Sequence, residues 1–201
     1  MSKYLCHEKL WIRFLSYFGT STLIFLIVWT ISFLILPEGL IRGKTATVIV
    51  GNEAAGNFFV EFVRIAAYNL FFAMVLIIAA NWIFKVGCYP LGYLIPLYFV
   101  FLYGILLGTN SFAIPLPDRM APSFTVLRRS GIYEIMAFIL MATSTYNIST
   151  YRVLSFIPPK SEEIKPKPRL SKDIDWAGFI TAIILLLGAN AWEAYQIVYL
   201  L

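Results

Sequence analysis

The chemically richest residues form the run Arg128-Arg129-Ser130-Gly131-Ile132-Tyr133-Glu134. Two guanidinium groups and a carboxylate here lead straight into the apolar stretch from Ile135 to Ala142. Charges at the mouth of a segment able to enter a bilayer are costly unless they face protein, water or each other, so the run reads as the polar heart of a membrane bundle. Arg128 and Arg129 also admit a plainer placement in the headgroup layer, because long cationic side chains reach the interface cheaply. Glu134 is expected to be buried, since Ile135, Met136, Phe138, Ile139 and Leu140 follow it without another charge.

Two further acidic positions belong to the same picture. Glu61 stands three residues before Arg64, on one helical face where the two can pair. Tyr68 lies one further turn along, and Asn69 and Asn81 add amides deeper in the segment. Asn190 and Glu193 are three residues apart in the last apolar segment, with no basic neighbour in the sequence. These groups suit two kinds of chemistry. One is ion pairing that fixes how helices dock, expected between Arg64 and Glu134 or Glu193, because an unpaired buried charge is strongly destabilising. The other is a polar path for a proton or small solute.

Other chemistries lack their residues. The chain has no nucleophile motif, phosphate-binding loop, dinucleotide fingerprint or metal cluster, so neither catalytic nor cofactor or metal ligands are assigned and a non-enzymatic role is expected. His7 is the only histidine, which argues against imidazole-based metal or haem ligation within one chain. Cys6 and Cys88 show no metal-ligand spacing and are expected near the same membrane face as free thiols on the reducing side.

The elements that must position these groups follow from composition. Of 201 residues, 60% are hydrophobic and 13% charged, and the mean hydropathy is +0.77. That balance belongs to a polytopic membrane protein. The expected fold is an all-α transmembrane bundle forming a single integral membrane domain over 1–201. Helices satisfy their own backbone groups in lipid, and the short alternating segments of a barrel are missing. Five spans are expected, over about 11–36, 58–84, 89–109, 132–149 and 176–201.

Between the spans, 38–57 is polar and glycine-rich, and its β-branched insert from Thr45 to Val50 is read as part of an external loop. Residues 110–127 hold Pro115, Pro117 and Pro122 around Asp118 and Arg119. They are too broken for a helix and too apolar for a free loop, so they should lie on the membrane surface or tuck partly into the bundle. Residues 150–175 alternate prolines with lysines and arginines and read as an extended basic linker. Pro96 should kink the third span unless the helix begins near it. Gly104 and Gly108 form a GxxxG pair that lets another helix approach closely.

The net charge of +5 is not a nucleic-acid signature here, because the basic residues crowd into ends and loops where they set orientation and touch anionic lipid. Ten of them (in the N-terminal segment, at Lys85 and in the basic linker) fall on one side, against five on the other. This places the N-terminus in the cytoplasm and the C-terminus outside a cell membrane. The N-terminal segment is too long for a signal-peptide core and lacks a small-residue cleavage site, so it reads as a retained anchor.

Tyr68-Asn69, Gly104-x-x-x-Gly108, Gly131-Ile132-Tyr133-Glu134 and Ala191-Trp192-Glu193-Ala194-Tyr195 together resemble the stage II sporulation protein M family of multi-span membrane proteins, over roughly residues 58–201. The resemblance implies a shared bundle core holding Asn69, Gly104, Gly108, Gly131, Glu134 and Glu193. Arg129 and Ser130 stand where the family carries a Pro-His pair, so any role of that histidine is absent. The founding member resembles a scaffold that recruits peptidoglycan-degrading partners, and some members look like companions of ABC transporters.

The function expected first is therefore a membrane subunit or scaffold whose partners are membrane lipid and other membrane proteins or further copies of itself. Its polar core would comprise Glu61, Arg64, Asn69, Arg129, Gly131, Glu134, Asn190 and Glu193. The second expectation is a transporter or permease component, and the third an accessory subunit of a respiratory or photosynthetic complex. A scaffold needs only a dry, paired core, whereas a transporter needs an open route reaching Glu61, Glu134 or Glu193.

Overall fold

A computed structural model describes residues 2–44, 55–157 and 159–200. The insert expected as part of an external loop, 45–50, lies outside them. About 66% of the chain is helical, and four helices are long and apolar enough to cross a membrane: Leu10–Ile35, Phe58–Ile83, Leu91–Thr109 and Trp176–Tyr199.

After a single turn, α1 (Ser2–Leu5), the first long helix is α2 (Leu10–Ile35). It stops because Leu36 precedes Pro37 and takes extended backbone, φ −87° and ψ 144°, as the proline ring requires. The second is composite. α3 (Phe58–Tyr68) starts at Asn57, whose side chain accepts from the amides of Phe59 and Val60, satisfying two of the free donors at a helix start. A π-helical stretch, Asn69–Val75, follows and passes into α4 (Leu76–Ile83).

In the third, a 3₁₀ turn at Leu91–Tyr93 opens into α5 (Leu94–Thr109). The helix thus begins beside Pro96, which sits in its first turn, where no intrahelical donor is lost. α6 (Gly131–Ser144) is shorter: at 1.5 Å per residue it spans about 21 Å, against about 30 Å of hydrocarbon. It is also the most enclosed helix, with all but three of its fourteen residues buried. The last long helix, α8 (Trp176–Tyr199), is capped by Asp175, which accepts from the Gly178 amide.

Close approach of α5 to α2 depends on the GxxxG pair. A Cβ at Gly104 would lie 2.9 Å from Val28 Cγ1, and one at Gly108 would lie 2.8 Å from the Phe33 amide and 2.9 Å from the Trp29 carbonyl. The segment 110–130 is folded onto the end of the bundle. Asn110, left-handed at φ 49°, ends α5, and its side-chain amide donates to Glu38 and to the Leu116 carbonyl while accepting from the Leu116 amide. Arg119 donates to the carbonyls of Ser32, Phe33 and Leu36 at the end of α2 and of Gly108 near the end of α5.

The opposite end differs from expectation. Residues read as a short connection and an extended linker form a four-stranded sheet of order β2-β1-β3-β4. Its strands are β1 (Phe84–Val86), β2 (Tyr89–Pro90), β3 (Tyr151–Phe156) and β4 (Pro159–Glu163). β1 and β3 run parallel with Lys85 opposite Arg152, and β3 and β4 antiparallel with Arg152 opposite Glu162. The fold is therefore helical with a small sheet rather than all-α, and the basic linker is a hairpin followed by one helical turn, α7 (Leu170–Asp173). Pro159 is tolerated because it opens an edge strand, and the charges on that strand discourage pairing with another chain. Desolvation first, and the Arg152 charge second, hold the Lys85 ammonium below its ordinary pKa.

The cysteine expectation is overturned. Cys6 and Cys88 form a disulfide, Cα to Cα 5.8 Å, and no free cysteine remains. The turn between β1 and β2 carries Cys88 to the residues following α1, a proximity that a separation of 82 positions conceals. Beside it Arg13, 2% exposed, donates to the carbonyls of Glu8 and Thr143 and stacks over the Tyr146 ring at 4.3 Å.

Candidate functional site

Toward the end of the bundle capped by 110–130, three helices bring acidic side chains to one cavity of about 230 Å³. Glu61 comes from α3, Glu134 from the first turn of α6 and Glu193 from the last turns of α8. Arg64, Asn69 and Arg129 line the same space, and Tyr103 of α5 supplies part of an aromatic wall.

Glu61 is fully buried, and both its oxygens are used. Arg64 Nη2 donates to Oε1 at 2.5 Å and the Ala55 amide to Oε2 at 2.9 Å. The i, i+3 spacing thus delivers the pair that the sequence allowed. Between described residues the ion pairs are Arg64 to Glu61, Arg152 to Glu162 and Lys167 to Glu163, and the one expected between Arg64 and Glu134 or Glu193 is not among them. The helical path decides this: Glu61 is one turn from Arg64 on the same rod, so the local partner is met without ordering a second helix.

Glu134 and Glu193 instead stand within hydrogen-bonding reach of each other. Asn69 Nδ2 bridges toward them, donating to Glu134 Oε1 at 3.3 Å and to Asn190 Oδ1 at 2.8 Å. Asn69 opens the π-helical stretch, a rare distortion that accompanies functional sites more often than chance. Asn190 is fully buried and its Nδ2 has no hydrogen-bond partner among the described residues. Gly131 makes room at the cavity edge, because a Cβ there would meet the Tyr103 ring.

The residues singled out from sequence therefore fall into two groups. Glu61, Arg64, Asn69, Arg129, Gly131, Glu134 and Glu193 line the cavity, with Asn190 joined through Asn69. Gly104 and Gly108 are elsewhere, against α2. Arg128 faces outward, Asn81 bonds Thr145 and the Ala142 carbonyl at the far end of α6, and His7 accepts from the Lys9 amide near the disulfide. Sequence reasoning missed Tyr103, Gln196 and the contribution of Phe112 and Leu116 to the lining. Gln196 had a signal, one turn after Glu193 on the same face; Phe112 and Leu116 had only the apolar character for which 110–127 was expected to tuck partly into the bundle, and Tyr103 had none.

Chemically, two carboxyl groups facing each other leave room for one positive charge between them, a proton or a small cation. The rings of Tyr68, Phe99, Tyr103, Phe112 and Phe138 around them would favour the same sign of charge. Three acids line the space, yet among the described residues no group of three metal-ligating side chains converges. No protein-family profile, curated protein or solved structure matches the chain.

Proposed function

We propose that this chain is a transporter or permease component of a cell membrane, a non-enzymatic protein that holds a proton or small organic cation between Glu134 and Glu193. One observation carries the reading: Glu134 and Glu193, carboxylates from two separate helices, line one cavity without an ion pair to any described residue, while the third carboxylate there, Glu61, is already held by Arg64. A bundle that used them only for docking would gain more from opposite charges in contact than from two acids side by side. The resemblance to the stage II sporulation protein M family supports a component that works with partner subunits, since some members look like companions of ABC transporters.

The test uses the purified protein in liposomes, with internal pH reporting protons and radiolabelled methylammonium reporting a small cation. Flux or accumulation above that of Glu134→Gln/Glu193→Gln liposomes is expected for at least one probe. Equal signals from both proteins for both probes would refute the proposal.

The scaffold reading keeps one observation in its favour. Trp192, Tyr195 and Tyr199 form a continuous exposed aromatic edge on α8, a surface suited to a partner helix.

For orientation, the excess of basic residues supports placing the sheet end in the cytoplasm. A Cys6–Cys88 disulfide at that face then requires a cytosol that tolerates disulfides, as those of hyperthermophiles do.

A further inference from the structure

A second concavity lies on the outside of the bundle, between α8 and the segment that precedes α6, with a volume of about 1130 Å³. Its walls are apolar along Ile184, Leu185, Met120 and Leu127, and Arg128 and Arg129 stand at it. An apolar surface on a membrane protein needs no explanation beyond lipid. The two arginines do need one, because neither guanidinium makes a hydrogen bond or ion pair with any of the described residues.

The height of the arginines is fixed. The Arg128 carbonyl accepts from Trp192 Nε1 at 2.8 Å and from Gln196 Nε2 at 2.7 Å, which pins this stretch beside the last turns of α8. From Trp192 back to Ile184 the groove runs eight residues toward the middle of the helix, about 12 Å at 1.5 Å per residue. That is close to the depth of one leaflet, half of the roughly 30 Å hydrocarbon layer. Midway lies Gly188, where an added Cβ would meet nothing within 4 Å, so the floor stays open.

We propose that this groove is a binding site for one anionic phospholipid, its phosphate held by Arg128 and Arg129 and an acyl chain laid along α8 over Gly188. Charge complementarity selects the occupant. Adjacent arginines offer forked donors suited to a phosphate, and apolar walls below them suit a chain rather than a soluble anion. The groove is separate from the polar cavity and does not rest on the proposed transport role. The two share Arg129 and Gln196 as a common wall, so a headgroup at Arg129 would border the cavity.

Native mass spectrometry of the full chain in mild detergent tests this, with phosphatidylglycerol or phosphatidylcholine added at equal concentration. The wild type should retain phosphatidylglycerol roughly tenfold more than phosphatidylcholine. Gly188→Leu fills the groove from an open position, and Arg128→Gln removes a side chain that bonds no described residue. Both should keep the wild-type unfolding temperature while lowering phosphatidylglycerol retention to the phosphatidylcholine level. Equal retention of the two lipids by the wild type overturns the proposal without reference to any variant, as does undiminished retention by either variant. A dimer free of lipid that Gly188→Leu dissociates also overturns it, assigning the groove to a second copy of the chain.

Discussion

Arginine side chains settle as much of this molecule as its acids do. Arg119 gathers four carbonyls from the ends of α2 and α5 and lies 5.1 Å over the Phe33 ring. Carbonyls in the last turn of a helix have no intrahelical donor, and the end of the helix dipole is negative, so a cation there satisfies both needs. Arg13 does the same at the far end through the Thr143 carbonyl. Arg119→Met keeps length and packing but leaves those oxygens without a donor. Hydrogen bonds to charged groups contribute about 1.5–3 kcal/mol each and do not sum fully, so a loss of roughly 2–4 kcal/mol is expected. Thermal unfolding in detergent should show it as a clear drop in midpoint. From sequence Arg119 was one charge in a proline-rich loop beside Asp118, because nothing local records which helix ends a loop will reach.

At the scale of elements, the contact between α2 and α5 is the most sharply defined, and the sequence already carried it. The pair Gly104 and Gly108 announced a close helix approach, and the structure supplies the partner, the stretch Val28 to Phe33 of α2. Gly108→Ala would force a methyl group toward backbone atoms at 2.8–2.9 Å, and overpacking of this kind costs about 1–3 kcal/mol. Gly19→Ala on α2 serves as the control, since its Cβ meets nothing within 4 Å and alanine is the better helix former. Unfolding midpoints should therefore separate the two variants, with the Gly108 change lowering the midpoint and the Gly19 change leaving it equal or higher. The sheet was less legible. Pro159, Lys160, Glu162 and Glu163 read as a solvated linker because β4 is an edge strand exposed along its length, without the apolar alternation that marks a half-buried strand.

For the whole molecule, the question a membrane poses is which end faces which compartment, and the disulfide makes it measurable. In the non-reduced protein a maleimide reagent should add no mass, and after reduction it should label both Cys6 and Cys88. Applied to intact cells, a membrane-impermeant reductant should leave the bond unreduced if the sheet end is cytoplasmic as the charge count indicates. Reduction from outside would reverse the orientation. The bond also closes a long loop, so Cys6→Ser should lower stability by roughly 2–4 kcal/mol, read as a lower unfolding midpoint that reductant no longer changes.

The sequence by itself determined the long apolar helices, their approximate ends at Pro37, Asn57 and Asp175, and the face on which Glu61 meets Arg64. Each of these follows from the local run of residue types, through helical periodicity, the break that proline and polar residues make, and the length needed to cross hydrocarbon. Only the tertiary structure decided that Glu134 meets Glu193, that Cys6 joins Cys88, and that β1 pairs with β3. Those contacts link residues 59, 82 and about 67 positions apart. No local preference encodes them, because they arise only once α6 is enclosed by its neighbours and the chain ends on either side of it are brought together.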